Sequence, residues 1–265
     1  EGMIMLNMIK AETKRLIKSK GFWISVLIYI LVFITCFYMQ LSAEQSTSFV
    51  DEGISKEPGF YISVDASIKS LNQLVQTFGF GFGSLVLGIY FTSFVCSEYT
   101  SGYIKNTAVL EGGRKAVILS KIMVALVISF IILALNYLIG WILGICFIDN
   151  FMINPVQEIF IDFSMMLLLM CALFSLIIFL STIFHNKTFG IVLLFLIASG
   201  MLQPFLDSIF NLLHISFASE YTLSYFFSTI LPVSGPVVSH AFMMSIAFIL
   251  VYNIGSAIVL QKTDI

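Results

Sequence analysis

The residues with most to offer chemically lie in one stretch, Glu98 to Lys121. It holds Glu98, Lys105, Glu111, Arg114, Lys115 and Lys121, with a Gly112-Gly113 pair, between two long uncharged runs. Charges of this kind can simply solvate a loop and hold it on the cytoplasmic side, and the glycine pair permits a bend. They do not suit catalysis. No Ser/His/Asp or paired-carboxylate arrangement can be assigned to a common pocket, and no GxxxxGK[ST] offers a phosphate cradle. Gly79, Gly81, Gly83 and Gly88 miss the GxGxxG spacing and fall in an apolar run. His185, His214 and His240 are far apart and form no HExxH pattern, so no metal is assigned. Cys36, Cys96, Cys146 and Cys171 sit in apolar runs without a CxxC pair and read as buried small hydrophobes.

The elements that must position this stretch are membrane helices. Hydrophobic residues make up 59% of the chain and charged ones 11%, against about 25% charged in a soluble domain. A bilayer core of about 30 Å takes roughly 20 apolar helical residues. The expected fold class is an all-α polytopic membrane protein, one transmembrane domain over 1–265 with six spans. Met3 or Met5 reads as the initiator, with Glu1 and Gly2 set apart. Residues 3–20 carry Lys10, Lys14, Arg15 and Lys18 opposite Met8, Ile9 and Leu16, the pattern of an amphipathic interfacial helix or, alternatively, of a charged lead-in. The spans expected are 22–41, 70–97, 122–148, 163–184, 188–206 and 237–260. Between them lie an acidic outer segment at 42–69, the 98–121 loop, and a proline-punctuated segment at 207–236. The last reads as short re-entrant or interfacial helices, or as a plain aromatic-anchored loop. Gly79 with Gly83 and Gly140 with Gly144 match the small-xxx-small spacing that lets helices approach closely.

Orientation follows from the cations. With the N-terminus inside, Lys10, Lys14, Arg15, Lys18, Lys20, Lys105, Arg114, Lys115, Lys121, Lys187 and Lys262 are inside, and only Lys56 and Lys69 are outside. That bias places both termini and the 98–121 loop in the cytoplasm. The four spans from 22 to 184 carry no acid or base, whereas ion-coupled carriers generally need ionisable groups at membrane depth. Any uphill transport would draw its energy from elsewhere.

Glu98-Tyr99-Thr100-Ser101-Gly102-Tyr103-Ile104-Lys105, directly after a long second span, resembles the ExxxGT[IL]K pattern at that position in ABC-2 type permeases, the membrane subunits of ABC exporters. Glu98, Gly102 and Lys105 are in place, and Tyr103 stands where threonine is commoner. With six spans, a basic leading helix and a broken connection before the last span, the resemblance extends over essentially the whole chain. It is closest to permeases of bacitracin and lantibiotic self-protection or peptide export. The resemblance implies a transport subunit without its own ATPase site, two copies of an ABC ATPase holding ATP and Mg, and a second permease copy or homologue. It also implies that the 98–121 loop is the coupling element. Glu98 is then a structural or coupling residue, Gly102 and Lys105 complete the motif, and Glu111, Arg114 and Lys115 belong to the ATPase contact.

The substrate is less defined. The outer segments hold Glu44, Asp51, Glu52, Glu57, Asp65, Asp149, Glu158, Asp162, Asp207 and Glu220, a face that would attract a cationic amphipathic peptide. Retention of cations inside produces the same asymmetry with no substrate involved. A hydrophobic or amphipathic substrate such as an antimicrobial peptide or drug is expected, with membrane lipid as the other partner and no nucleic acid. A non-transporting immunity or sensor module that binds a peptide would show the same spans. The missing buried catalytic pair argues against an intramembrane enzyme. A prokaryotic plasma membrane is the expected location.

Overall fold

The computed structural model describes residues 2–47, 68–103, 113–148, 150–229, 231 and 235–262. They form an all-helical bundle in which five helices are long and apolar enough to cross a membrane, six if one sharply bent pair is counted as a span. In chain order these are α1 (Gly2–Lys18), α2 (Lys20–Thr47), α3 (Leu71–Thr100), α4 (Gly113–Phe147), α5 (Val156–Phe184), the bent pair α6 (Lys187–Ala198) and α7 (Leu202–Leu212), a 3-10 turn at Ser216–Tyr221, α8 (Leu223–Ser228) and α9 (Pro236–Lys262).

The spans are apolar on all sides, so packing selects which stripe is covered. In α2, Phe22, Val26, Tyr29, Phe33 and Phe37 recur at three- and four-residue spacing and are buried, whereas Trp23, Ile24, Leu27 and Leu31 are exposed. An apolar exposed face is what lipid solvates. The centre of the bundle is α5, buried through Met165, Leu169, Leu173, Phe174 and Ile177, with α9, α4 and α3 packed around it. Close approach is set by glycines. A Cβ on Gly79 would lie 2.6 Å from Asn136 Cγ, and one on Gly83 2.9 Å from Ile132 Cγ2, so α3 and α4 meet backbone to side chain there. Gly140 faces Leu74 of α3, and Gly144 faces Phe151 of the connection that follows α4.

Three features depart from the sequence reading. Residues 98–100 and 113–121, expected in a loop, are helical ends, and the fourth long helix starts at Val156 rather than 163. Pro155, at φ −54° and ψ 144°, initiates it, and Asp162 is hydrogen-bonded inside the bundle rather than solvated outside it. The third departure is the break after α6. Its 12 residues span about 18 Å, short of the roughly 30 Å hydrocarbon thickness, and the chain bends by 77° into α7. Interruption therefore begins at Ser199, before the 207–236 segment where the prolines suggested it.

One end of the bundle gathers the ends of several elements. Val117, Ile118 and Leu260 form a small core there with Met8. The turn into α6 lies there too, with His185 left-handed at φ 52° and Asn186 accepting from the Thr188 N–H at 2.9 Å. At the other end, residues 69–72 pair with the 148–155 connection through Met152 N to Lys69 O at 2.8 Å and Asn72 N to Asn154 Oδ1 at 3.1 Å.

Candidate functional site

At the end holding Val117 and Leu260, four charged side chains from three helices converge. Glu98, in the last turn of α3, is 1% exposed; Lys121, two turns into α4, is 2% exposed; Glu12 of α1 is 2% exposed. Lys121 Nζ pairs with Glu98 Oε2, and Arg15 Nη2 donates to Glu98 Oε1 at 2.8 Å. Arg15 Nη1 lies 3.7 Å from Glu12 Oε1, and its guanidinium stacks over Phe94 at 4.4 Å and near Tyr103 at 5.3 Å. Burial, and after it the charge of Glu98, raises the Glu12 carboxyl above the ordinary carboxylate range, while Lys121 and Arg15 oppose the shift. The Tyr103 phenol, also raised by burial and then by Glu12, remains a neutral hydrogen-bonding partner for that carboxyl.

The local sequence explains the geometry. Glu98 shares a face with Phe91, Phe94 and Val95, which are buried, so its carboxylate must enter the bundle and there requires cations. Gly102, at φ +72°, follows the last turn in the left-handed conformation that ends helices, with Ser101 N donating to Ser97 O at 2.9 Å. Nothing lies within 4 Å of a Cβ at Gly102, so its requirement is one of backbone conformation, not space. Glu98 and Gly102 thus anchor and terminate α3. Tyr99 adds a tie to α5, its hydroxyl 2.8 Å from Thr182 Oγ1 and its ring edge-on to His185.

Of the other residues singled out by sequence, Lys10, Lys14 and Lys18 lie exposed along α1. Arg114 and Lys115 fall in the first turn of α4, with their side chains outside the described set, and Lys105 and Glu111 lie outside the described residues. Glu12 and the role of Lys121 were missed, although a signal existed: Glu12 sits four residues from both Met8 and Leu16, on the covered stripe of α1. An acid on an apolar stripe implies a buried partner.

A second buried acid was likewise misplaced. Asp162, fully buried, accepts from Tyr137 Oη at 2.7 Å and Gln76 Nε2 at 2.8 Å. Gln76 also clasps the Leu231 backbone, donating to its carbonyl at 3.0 Å and accepting from its N–H at 2.9 Å. It lies in a π-helical turn, Val75–Phe80, inside α3, a local widening common at functional sites. The position of Asp162, three and four residues before the buried Met165 and Met166, was its signal.

α3 therefore has a buried polar junction at each end, one with α1 and α4, the other with α5 and the segment before α9. A search of curated proteins finds no match to the chain. The family description "ABC-2 family transporter protein" matches residues 8–201, a range that takes in the whole of the Glu12, Arg15, Glu98 and Lys121 cluster. With that match over most of its length, the chain belongs to the ABC-2 family of transporter proteins, as a multi-pass membrane subunit that works with an ABC ATPase partner.

Proposed function

We propose that this chain is the permease of an ATP-driven exporter for a hydrophobic or amphipathic substrate, an antimicrobial peptide or drug, in a prokaryotic plasma membrane. Both termini face the cytoplasm. ATP and Mg are bound by two ATPase subunits, and a second permease copy or homologue completes the path.

The observation that carries this reading is the charge cluster. It fastens α1, α3 and α4 together on both sides of residues 104–112, so a push delivered to that connection reaches three helices at once. Glu12, Glu98 and Lys121 are buried and so hold the element in place, and the charges of 105–115 are assigned the partner contact. Glu98 is accordingly a positioning residue, and Lys105, Glu111, Arg114 and Lys115 are the contact residues. The cations of this end fit the positive-inside bias, which supports a cytoplasmic position, where nucleotide is available.

The test is co-purification of the full chain with its ATPase, native against Arg114→Ala/Lys115→Ala, scoring recovery of the complex and ATP hydrolysis. Loss of either in a variant with native thermal stability supports the coupling site. Failure of the native chain to retain any ATPase would overturn the exporter reading in favour of a stand-alone peptide-binding module.

A further inference from the structure

We propose that Asp162 recognises the positive charge of an amphipathic substrate seated in the cleft beside Gln76. This deepens the exporter reading above and rests on it.

Asp162 lies about 9 Å along α5 from its first residue and is fully buried. Both its oxygens meet neutral donors, Tyr137 and Gln76. Ion pairs among the described residues are confined to the cluster of Glu12, Arg15, Glu98 and Lys121, at the opposite end of α3. A carboxylate buried without a cation is unfavourable, and in a membrane protein such a group marks a ligand or ion path. An ammonium or guanidinium group offers the missing charge in a short, charge-assisted bond.

The cleft supplies the rest of the specificity. Two cavities of about 210 and 330 Å3 share Gln76, Thr77 and Phe227 as walls. Phe80, Met166 and Phe226 line the first, and Leu85 and Phe195 the second. Three hydroxyls at its edge give their protons to the backbone, Thr77 to Gln73 O, Ser199 to Phe195 O and Ser228 to Tyr225 O. They can still accept, which suits a donor such as an ammonium better than an anion. An apolar body carrying one cationic group fits both the walls and the carboxylate. Gln76 stands between the cleft and Asp162, so the cation takes over Oδ1 as the Gln76 amide withdraws. The same carboxamide holds Leu231 by two hydrogen bonds, and its movement releases that residue.

The test uses the full chain with its ATPase in nanodiscs of zwitterionic lipid, titrated with octylammonium and, as a neutral match, octanol. Saturable binding is read above the partition into empty discs. Octylammonium is expected to bind about tenfold more tightly than octanol, as one desolvated charge pair would provide. Asp162→Asn should abolish that difference and leave octanol binding in place; Thr77→Trp, which fills the cleft without touching Asp162, should remove saturable binding of both. Equal affinities in the native protein overturn the proposal, as does a cation preference that survives Asp162→Asn in a folded variant. Should Asp162→Asn not fold, a cation preference that persists in Thr77→Trp overturns it as well. ATPase retention is scored in the same discs. Its absence with the cation preference intact removes the exporter reading and leaves the site, and the converse removes only the site.

Discussion

Glu98 is the residue on which most of the basic end depends, and its burial changes what a mutation there measures. Glu98→Ala leaves Lys121 in the bundle without its partner, a loss of about 3–5 kcal/mol. Glu98→Leu/Lys121→Leu removes both charges together and should recover most of that stability, because apolar replacement of a whole buried pair is close to neutral. Denaturant or thermal unfolding of Glu98→Leu, Lys121→Leu and the double variant checks this; additive losses in the double variant would refute it. Glu12 behaves in the opposite sense. Burial and the neighbouring Glu98 raise its carboxyl, with Lys121, Arg15 and Tyr103 as its other neighbours. The folded state thus holds a proton that the unfolded chain releases in the ordinary carboxylate range. Its stabilising contribution is complete below that range and is lost as pH rises through the raised value. Glu12→Gln should flatten the stability profile in that window and raise stability at neutral pH, as read from melting temperature against pH. The sequence reading singled out Glu98 through the resemblance of its stretch to the ExxxGT[IL]K pattern, did not single out Glu12, and counted Asp162 among the outer acids. Charge counting treats every acid as solvated, whereas these two lie in register with apolar neighbours, and only that register betrays burial.

Whole elements were more legible than their interruptions. Runs of about 20 or more uncharged residues locate the long helices, because the bilayer sets that length and little else competes. Charge placed their ends less well. Lys121 and Glu98 are helical yet were read as loop, since a buried ion pair and a solvated charge look alike in one dimension. The π turn at Val75–Phe80 and the bend after α6 carry no charge, so a reading that divides spans at charged residues runs through both, although Gln76 and Thr77 in the first and Ser199, Gly200 and Pro204 at the second were local signals. Gly200 makes the bend possible. It has φ +71°, and a Cβ there would lie 3.0 Å from Ser228 Cβ and 3.3 Å from its Cα, against the end of α8. Gly235 has φ +94° with nothing within 4 Å of the same position. Both pay the left-handed penalty of about 1–2 kcal/mol when substituted by alanine, but Gly200→Ala adds a clash with backbone. It should therefore melt at a clearly lower temperature than Gly235→Ala. Equal melting temperatures would mean that α8 does not hold the bend.

At the scale of the molecule, α3 joins two buried polar junctions, Glu98 with Arg15 and Lys121 at one end and Gln76 with Asp162 and Leu231 at the other. They are 22 positions apart, or about 33 Å of helix, slightly more than a hydrocarbon core of about 30 Å. One junction therefore sits near each membrane surface, and the helix between them carries no charge. The exporter reading makes two demands: the Glu98 junction is the inner one, because ATP is cytoplasmic, and the Asp162 site then lies in the outer leaflet. A single measurement tests both demands. With Cys36, Cys96, Cys146 and Cys171 replaced by serine or alanine, single cysteines at Lys187 and Asn150 report the two ends, and both native side chains are exposed. A membrane-impermeant maleimide applied to intact cells should label Asn150→Cys fully and Lys187→Cys only after permeabilisation. The reverse pattern would put the charge cluster outside, beyond reach of any nucleotide-driven partner. It would also put Asp162 within the inner leaflet, so that a cation bound there would come from the cytoplasm, and the acidic character of segment 42–69 would no longer bear on its capture.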